Sequence, residues 1–156
     1  MKYPFEPRST TSLQQGHYWC FELVNGRFAS GVVLAHALRN GKIDSRLLCV
    51  GLLDWVGDAP ATAEQLNDVP VRDRGFIHVR SIQQNGRIVL GRVNQDWEIP
   101  AVLDFSHQAG SGISVWGLAV IRNLAELTWG DSDWVRKKVE ACWDANPKMK
   151  KRRIDT

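Results

Sequence analysis

HYWCFELV (residues 17–24), NG (25–26) and RFASGVVLAH (27–36) form the stretch that decides how this chain folds. In the first segment Trp19, Phe21 and Leu23 alternate with Tyr18, Cys20 and Glu22, and a period of two predicts a half-buried strand. Asn25-Gly26 suits the positive φ angles of a type I′ turn, so the chain is expected to reverse there and form a hairpin over residues 17–36. Upstream, Pro4, Pro7 and the polar run Ser9–Gln15 read as an extended amino-terminal arm over residues 1–16.

Downstream, the polar break RNGKIDS (39–45) leads into LLCVGLLDWV (47–56), whose nearly continuous apolar character predicts a central strand covered on both faces. TAEQLND (62–68) has room for a short helix at most before Pro70. GFIHVRSIQ (75–83) and RIVLGRV (87–93), joined by Asn85-Gly86, predict a second hairpin. Its likeness to the first, at an offset of 60 residues, fits either a duplicated unit or shared turn chemistry. NQDWEIPAVLDFS (94–106) offers a short edge strand, because Pro100 is tolerated at an edge and not centrally. SHQAGSG (106–112) reads as a loop and ISVWGLAVI (113–121) as another apolar strand. A helix is predicted over 131–146, capped by Asp131 or Ser132 and stopped by Pro147, with Val135, Val139, Cys142, Trp143 and Asn146 near one face. The expected fold is mainly β (α+β): a strongly bent antiparallel sheet or SH3-like barrel with a C-terminal helix, in one domain over 17–147.

At 156 residues and 44% hydrophobic, the chain can bury a core without disulfides or a structural metal. Cys20, Cys49 and Cys142 are odd in number and widely spaced, and read as buried thiols of a reducing compartment. There is neither an apolar run long enough to span a membrane nor a signal-peptide h-region, so the expectation is a cytoplasmic protein with no membrane partner. Residues 148–156 (KMKKRRIDT) set five basic groups against Asp155, which leaves the body of this +3 chain close to neutral.

Catalytic signatures are missing: there is no G-x-S-x-G, C-x-x-C, H-E-x-x-H or Walker loop. Gly110-Ser111-Gly112 lacks the lysine and following helix of a phosphate cradle and reads as a turn. His78 and His107 are solitary, and would be the only bases available to a hydrolase. No close ligand pair suggests a metal, and no cofactor is expected. Tryptophan is the unusual feature, with seven residues. Trp19, Trp116 and Trp143 fit a core, while Trp97 and Trp129 sit beside turns and acids. Trp97 between Asp96 and Glu98, with the loop His107–Ser111, is the candidate partner-binding site, an apolar anchor flanked by charges for Arg or Lys. Pro100 should keep that edge open. The alternative is that Trp97 folds back over the barrel end and the acids are only solvated.

Gly16, Phe21, Leu23, Gly26, Arg27, Phe28, Gly31 and Val33 resemble the opening hairpin of a bacterial polymorphic-toxin immunity family, the one numbered twenty-six, with pattern G-D-x-F-x-(I/V)-x-L-x-(D/N)-G-(R/K)-(Y/F)-x-x-G-x-V. The resemblance covers about 20 residues, with an echo at Trp97–Pro100; His17 replaces the acidic residue of the pattern, and Trp19 and Cys20 its smaller or aliphatic ones. It implies a non-enzymatic immunity protein that binds and neutralises a cognate toxin protein, with no catalytic residues to carry over. The second reading is a small β nucleic-acid-binding module whose tail (Lys148, Lys150, Lys151, Arg152, Arg153) tracks phosphates.

Overall fold

The computed structural model describes residues 2–105 and 113–145. Four consecutive strands, β1 (His17–Glu22), β2 (Phe28–Arg39), β3 (Lys42–Gly57) and β4 (Val71–His78), form an antiparallel meander. β5 (Val89–Arg92) adds to the free side of β1, giving the order β4-β3-β2-β1-β5. β6 (Val102–Asp104) runs parallel to His36–Leu38 of β2, beyond the end of β1. Helices α1 (Val79–Gln84), α2 (Val120–Trp129) and α3 (Ser132–Ala145) complete the described fold. It is mainly β, as expected, and register shifts in the β1–β5, β2–β3 and β3–β4 pairs each add a local bend. The barrel alternative does not form, because the sheet is not closed: β4 and β5 end it on opposite sides.

The first hairpin is present, with Trp19 opposite Gly31 and Glu22 opposite Phe28. Its turn is not type I′: only Gly26 has a positive φ, of 85°, and Val24-Asn25-Gly26 makes a three-residue loop closed by the Leu23 N–H on the Arg27 carbonyl. The two-residue turn with both φ angles positive lies instead at Asn40 (52°) and Gly41 (77°), where Arg39 pairs with Lys42. The polar stretch 39–45 is therefore the tip of a long hairpin and not a break.

The second predicted hairpin does not exist. His78 ends β4 and caps α1, its Nδ1 accepting the Arg80 N–H at 3.0 Å, and Asn85 ends that helix by donating its side-chain amide to the Ser81 and Leu118 carbonyls. Gly86, at φ 97°, passes so close to the Cys20 carbonyl that a Cβ would collide with it. RIVLGRV thus joins β1 through β5, and the 60-residue likeness equates a hairpin loop with a helix end. The predicted strand 113–121 shrinks to a single bridge, Val115 with Phe76, before α2 begins. Residues 63–68 make successive turns, within the expectation of a short helix at most.

Both faces of the sheet are covered. Trp19, Phe21, Leu23, Val33, Leu48, Val50, Leu52 and Ile77 pack with Ile121 and Ala125 of α2. Tyr18, Cys20, Val32, Leu34, Cys49, Leu53 and Phe76 pack on the other face with Leu66, Trp97 and Ile113 from the loops. β3 is the doubly covered central strand its sequence predicts, but β1 is also buried on both faces and not half-buried. α3 starts where predicted, with Asp131 Oδ1 capping the Trp134 N–H. Among the described residues of its apolar face only Val135 is buried; Val139 and Cys142 are exposed, so Cys142 departs from the buried-thiol expectation that Cys20 and Cys49 meet. The Trp143 side chain and Asn146 lie outside the described residues. The arm is folded onto the body: Phe5 pairs with Val89, Thr10–Ser12 forms a 3-10 turn, and Leu13 enters the core.

Candidate functional site

A groove of about 630 Å³ opens between the start of β4 and the loop before β6, lined by Asp68–Arg74 on one wall and Gln95–Ile99 on the other, with Leu34 of β2 between them. The two walls are cross-tied. Gln95 Oε1 accepts the Asp68 N–H at 2.7 Å and its Nε2 donates to the Val69 carbonyl at 3.2 Å. Gln15 Nε2 donates to the Leu34 and Ile99 carbonyls, both at 2.9 Å, and holds the 95–99 loop against β2. Asp96 Oδ1 accepts the Glu98 N–H at 2.9 Å, an Asx turn that sets Glu98 at a positive φ of 58°.

The candidates Asp96, Trp97 and Glu98 all line this groove, but in different roles. Asp96 and Glu98 are exposed, whereas Trp97 is only 9% exposed and packs in the core. The turn at 96–98 directs the indole inward and leaves the flanking acids outward, which removes Trp97 as an exposed anchor. The edge that Pro100 was expected to leave open is occupied, since the chain immediately pairs with β2 through the His36 N–H on the Ala101 carbonyl and then β6. His107 and Ser111 lie outside the described residues, as do Lys148, Lys150, Lys151, Arg152 and Arg153.

Four groove carboxylates, Asp68, Asp73, Asp96 and Glu98, face two guanidinium groups, Arg72 and Arg74. Arg72 is engaged by Asp54 at 3.5 Å and Asp73 at 3.9 Å, and lies over the Trp129 ring. Among the described residues, Asp68, Asp96 and Glu98 have no cationic partner within 4 Å. The opposite wall of the groove, with Asp68, Arg72 and Arg74, was missed from sequence. Its signal is the charged run Arg72-Asp73-Arg74 in an otherwise apolar sheet, the composition of a protected edge strand.

Cys49, Cys20, His78 and His17 are held by the fold. Burial pushes the Cys49 thiol up to about 12 and raises Cys20 as well, so both stay protonated at neutral pH. His78 spends Nδ1 on the α1 cap. His17 is fully buried and its pKa is lowered to about 4 by burial, helped by the positive charges of Arg92 and the amino terminus. Trp116 lies on Gly75, and Trp134 is covered by Arg122 at 5.1 Å and Lys138 at 4.3 Å. Among the described residues no group of three His, Cys, Asp or Glu side chains is placed to hold a metal, and no helix is long and apolar enough to cross a membrane. No protein family, curated protein or solved structure matches the chain.

Proposed function

We propose that this chain is a protein-binding inhibitor of the immunity type, which receives a basic segment of a cognate toxin in the groove between residues 68–74 and 95–99 and acts without a catalytic step. The observation that carries this reading is the fixed groove with the carboxylates of Asp68, Asp96 and Glu98 left without cations. Such a wall attracts Arg or Lys side chains, speeds encounter and confers strong salt dependence, while the apolar floor of Leu34, Val69, Val71 and Ile99 supplies burial. The hairpin resemblance to the immunity family supports the same class of partner.

The test is co-expression with toxins encoded beside the gene. Rescue of growth by the wild-type chain, weakened when Asp96 and Glu98 are changed to Asn and Gln, is the expected result. Unchanged killing by every neighbouring toxin would overturn the reading.

A further inference from the structure

His17 is the only fully buried histidine among the described residues, and it lies at the start of β1 under the amino-terminal segment. Its Nδ1 accepts the backbone N–H of Gln14 at 3.0 Å. A backbone amide can only donate, so in the neutral ring the proton resides on Nε2, which donates to the Tyr3 hydroxyl at 3.0 Å. The edges of Tyr3 and Phe5 close over the ring, at centroid distances of 5.6 and 5.4 Å. A second proton would displace the Gln14 N–H from Nδ1 and leave an imidazolium without water.

We infer that His17 is an acid-sensitive latch for the amino-terminal segment: protonation of its ring releases residues 2–7 from the sheet and uncovers the outer edge of β5 at Val89.

The segment is suited to leave as a unit. Phe5 and Val89 exchange two backbone hydrogen bonds, of 3.1 and 2.8 Å. The other ties are Tyr3 to His17, Gln83 Nε2 to the Pro7 carbonyl at 2.9 Å, and an exposed Glu6–Arg87 pair at 3.8 Å. Beyond Ser9 the chain is anchored separately, by the Thr10 hydroxyl on the Asp44 carbonyl, by His36 Nε2 on the Leu13 carbonyl and by Leu13 in the core. The charged groups beside His17 oppose a second charge, and the groups of the segment that cover it are neutral. From β5 it meets Arg92, and the amino terminus adds positive charge; from the segment it meets the neutral Tyr3 hydroxyl and the Phe5 ring. Glu6, the carboxylate of the segment, is paired with Arg87. The imidazolium gains hydration when the segment lifts, and burial lowers the pKa of the closed form in the same sense.

Amide exchange of the full chain, followed by NMR at pH 7 and pH 4.5 and corrected for intrinsic rates, tests this. Protection of the Phe5 and Val89 amides should fall by roughly tenfold or more at pH 4.5 while Val50 in β3 stays protected. In His17→Gln the Phe5 and Val89 protection should not depend on pH. Should that variant fail to fold, ring nitrogen shifts of His17 in the wild type should titrate with the same midpoint as the loss of Phe5 protection. Unchanged Phe5 and Val89 protection at pH 4.5, loss of Val50 together with them, or a His17 titration that leaves Phe5 protected would each overturn the latch.

Discussion

The Glu126 carboxylate, fully buried on α2, accepts the backbone N–H of Val24 at 3.0 Å and so ties the helix layer to the turn of the first hairpin. The same side chain accepts the Asp131 N–H at 3.2 Å, and Asn25 Nδ2 donates to the Trp129 carbonyl at 3.0 Å. A turn that lacks the type I′ pattern is thereby fixed by a helix a hundred residues away. Glu126→Ala leaves the Val24 and Asp131 N–H groups without their acceptor and Arg122 without its carboxylate partner at 3.8 Å, and is expected to cost about 2–4 kcal/mol in urea denaturation. Glu126→Gln keeps one acceptor oxygen and should cost clearly less.

Gly31 lies opposite Trp19 in the β1–β2 register, and the indole rests where a Cβ would project. Strand propensity alone favours Gly31→Ala, because glycine weakens a strand. The contact reverses that sign, and a loss of about 1–3 kcal/mol is expected in urea denaturation. Trp19→Leu in the same chain should remove most of the Gly31→Ala penalty, so the two changes should be markedly non-additive.

Acid stability follows from His17. Its folded pKa of about 4 lies below the ordinary 6.5, so between these values the unfolded chain binds more protons and stability rises with pH. The full contribution is present above 6.5 and is lost as pH falls toward 4, up to about 3 kcal/mol. Urea midpoints at pH 7.5, 5.5 and 4 should decline in the wild type and decline much less in His17→Gln.

The three Asn-Gly pairs explain how much of the fold was legible. At 25–26 the dipeptide ends in one positive φ and a loop, at 40–41 in a two-residue hairpin, and at 85–86 in a helix end. The dipeptide specifies that the chain can turn; which turn forms depends on partners distant in sequence, Glu126 for the first and Leu118 for the third. The alternation of β1, the apolar run of β3 and the Asp131 cap were readable because each signal is local. Val120–Trp129 was not, since its apolar residues continue an already apolar run and mask the spacing of Ile121, Leu124 and Ala125. At the candidate site, the acids beside Trp97 marked one wall of the groove, but the inward turn of the indole depends on the second core.

The groove walls should be separable from the stability of the domain. Gln95→Ala removes the tie to Asp68 and Val69, both near the surface, where water can replace the lost bonds. A cost of about 1 kcal/mol is expected in thermal unfolding. Partner affinity should fall out of proportion to that cost, measured by titration calorimetry, because the wall carrying Asp68 loses its position.

The groove carboxylates can be neutralised with little change of shape. Asp68 has a positive φ of 63°, which Asn tolerates, and Asn at position 96 keeps the oxygen that accepts the Glu98 N–H. Titration of a cognate toxin into the triple variant Asp68→Asn, Asp96→Asn, Glu98→Gln, beside the wild type and at two salt concentrations, is the most direct measurement. Occupation of the groove by a basic segment predicts an affinity loss of roughly tenfold or more, a weaker salt dependence and a melting temperature within a few degrees of wild type. Unchanged affinity and salt dependence in the folded variant would contradict it.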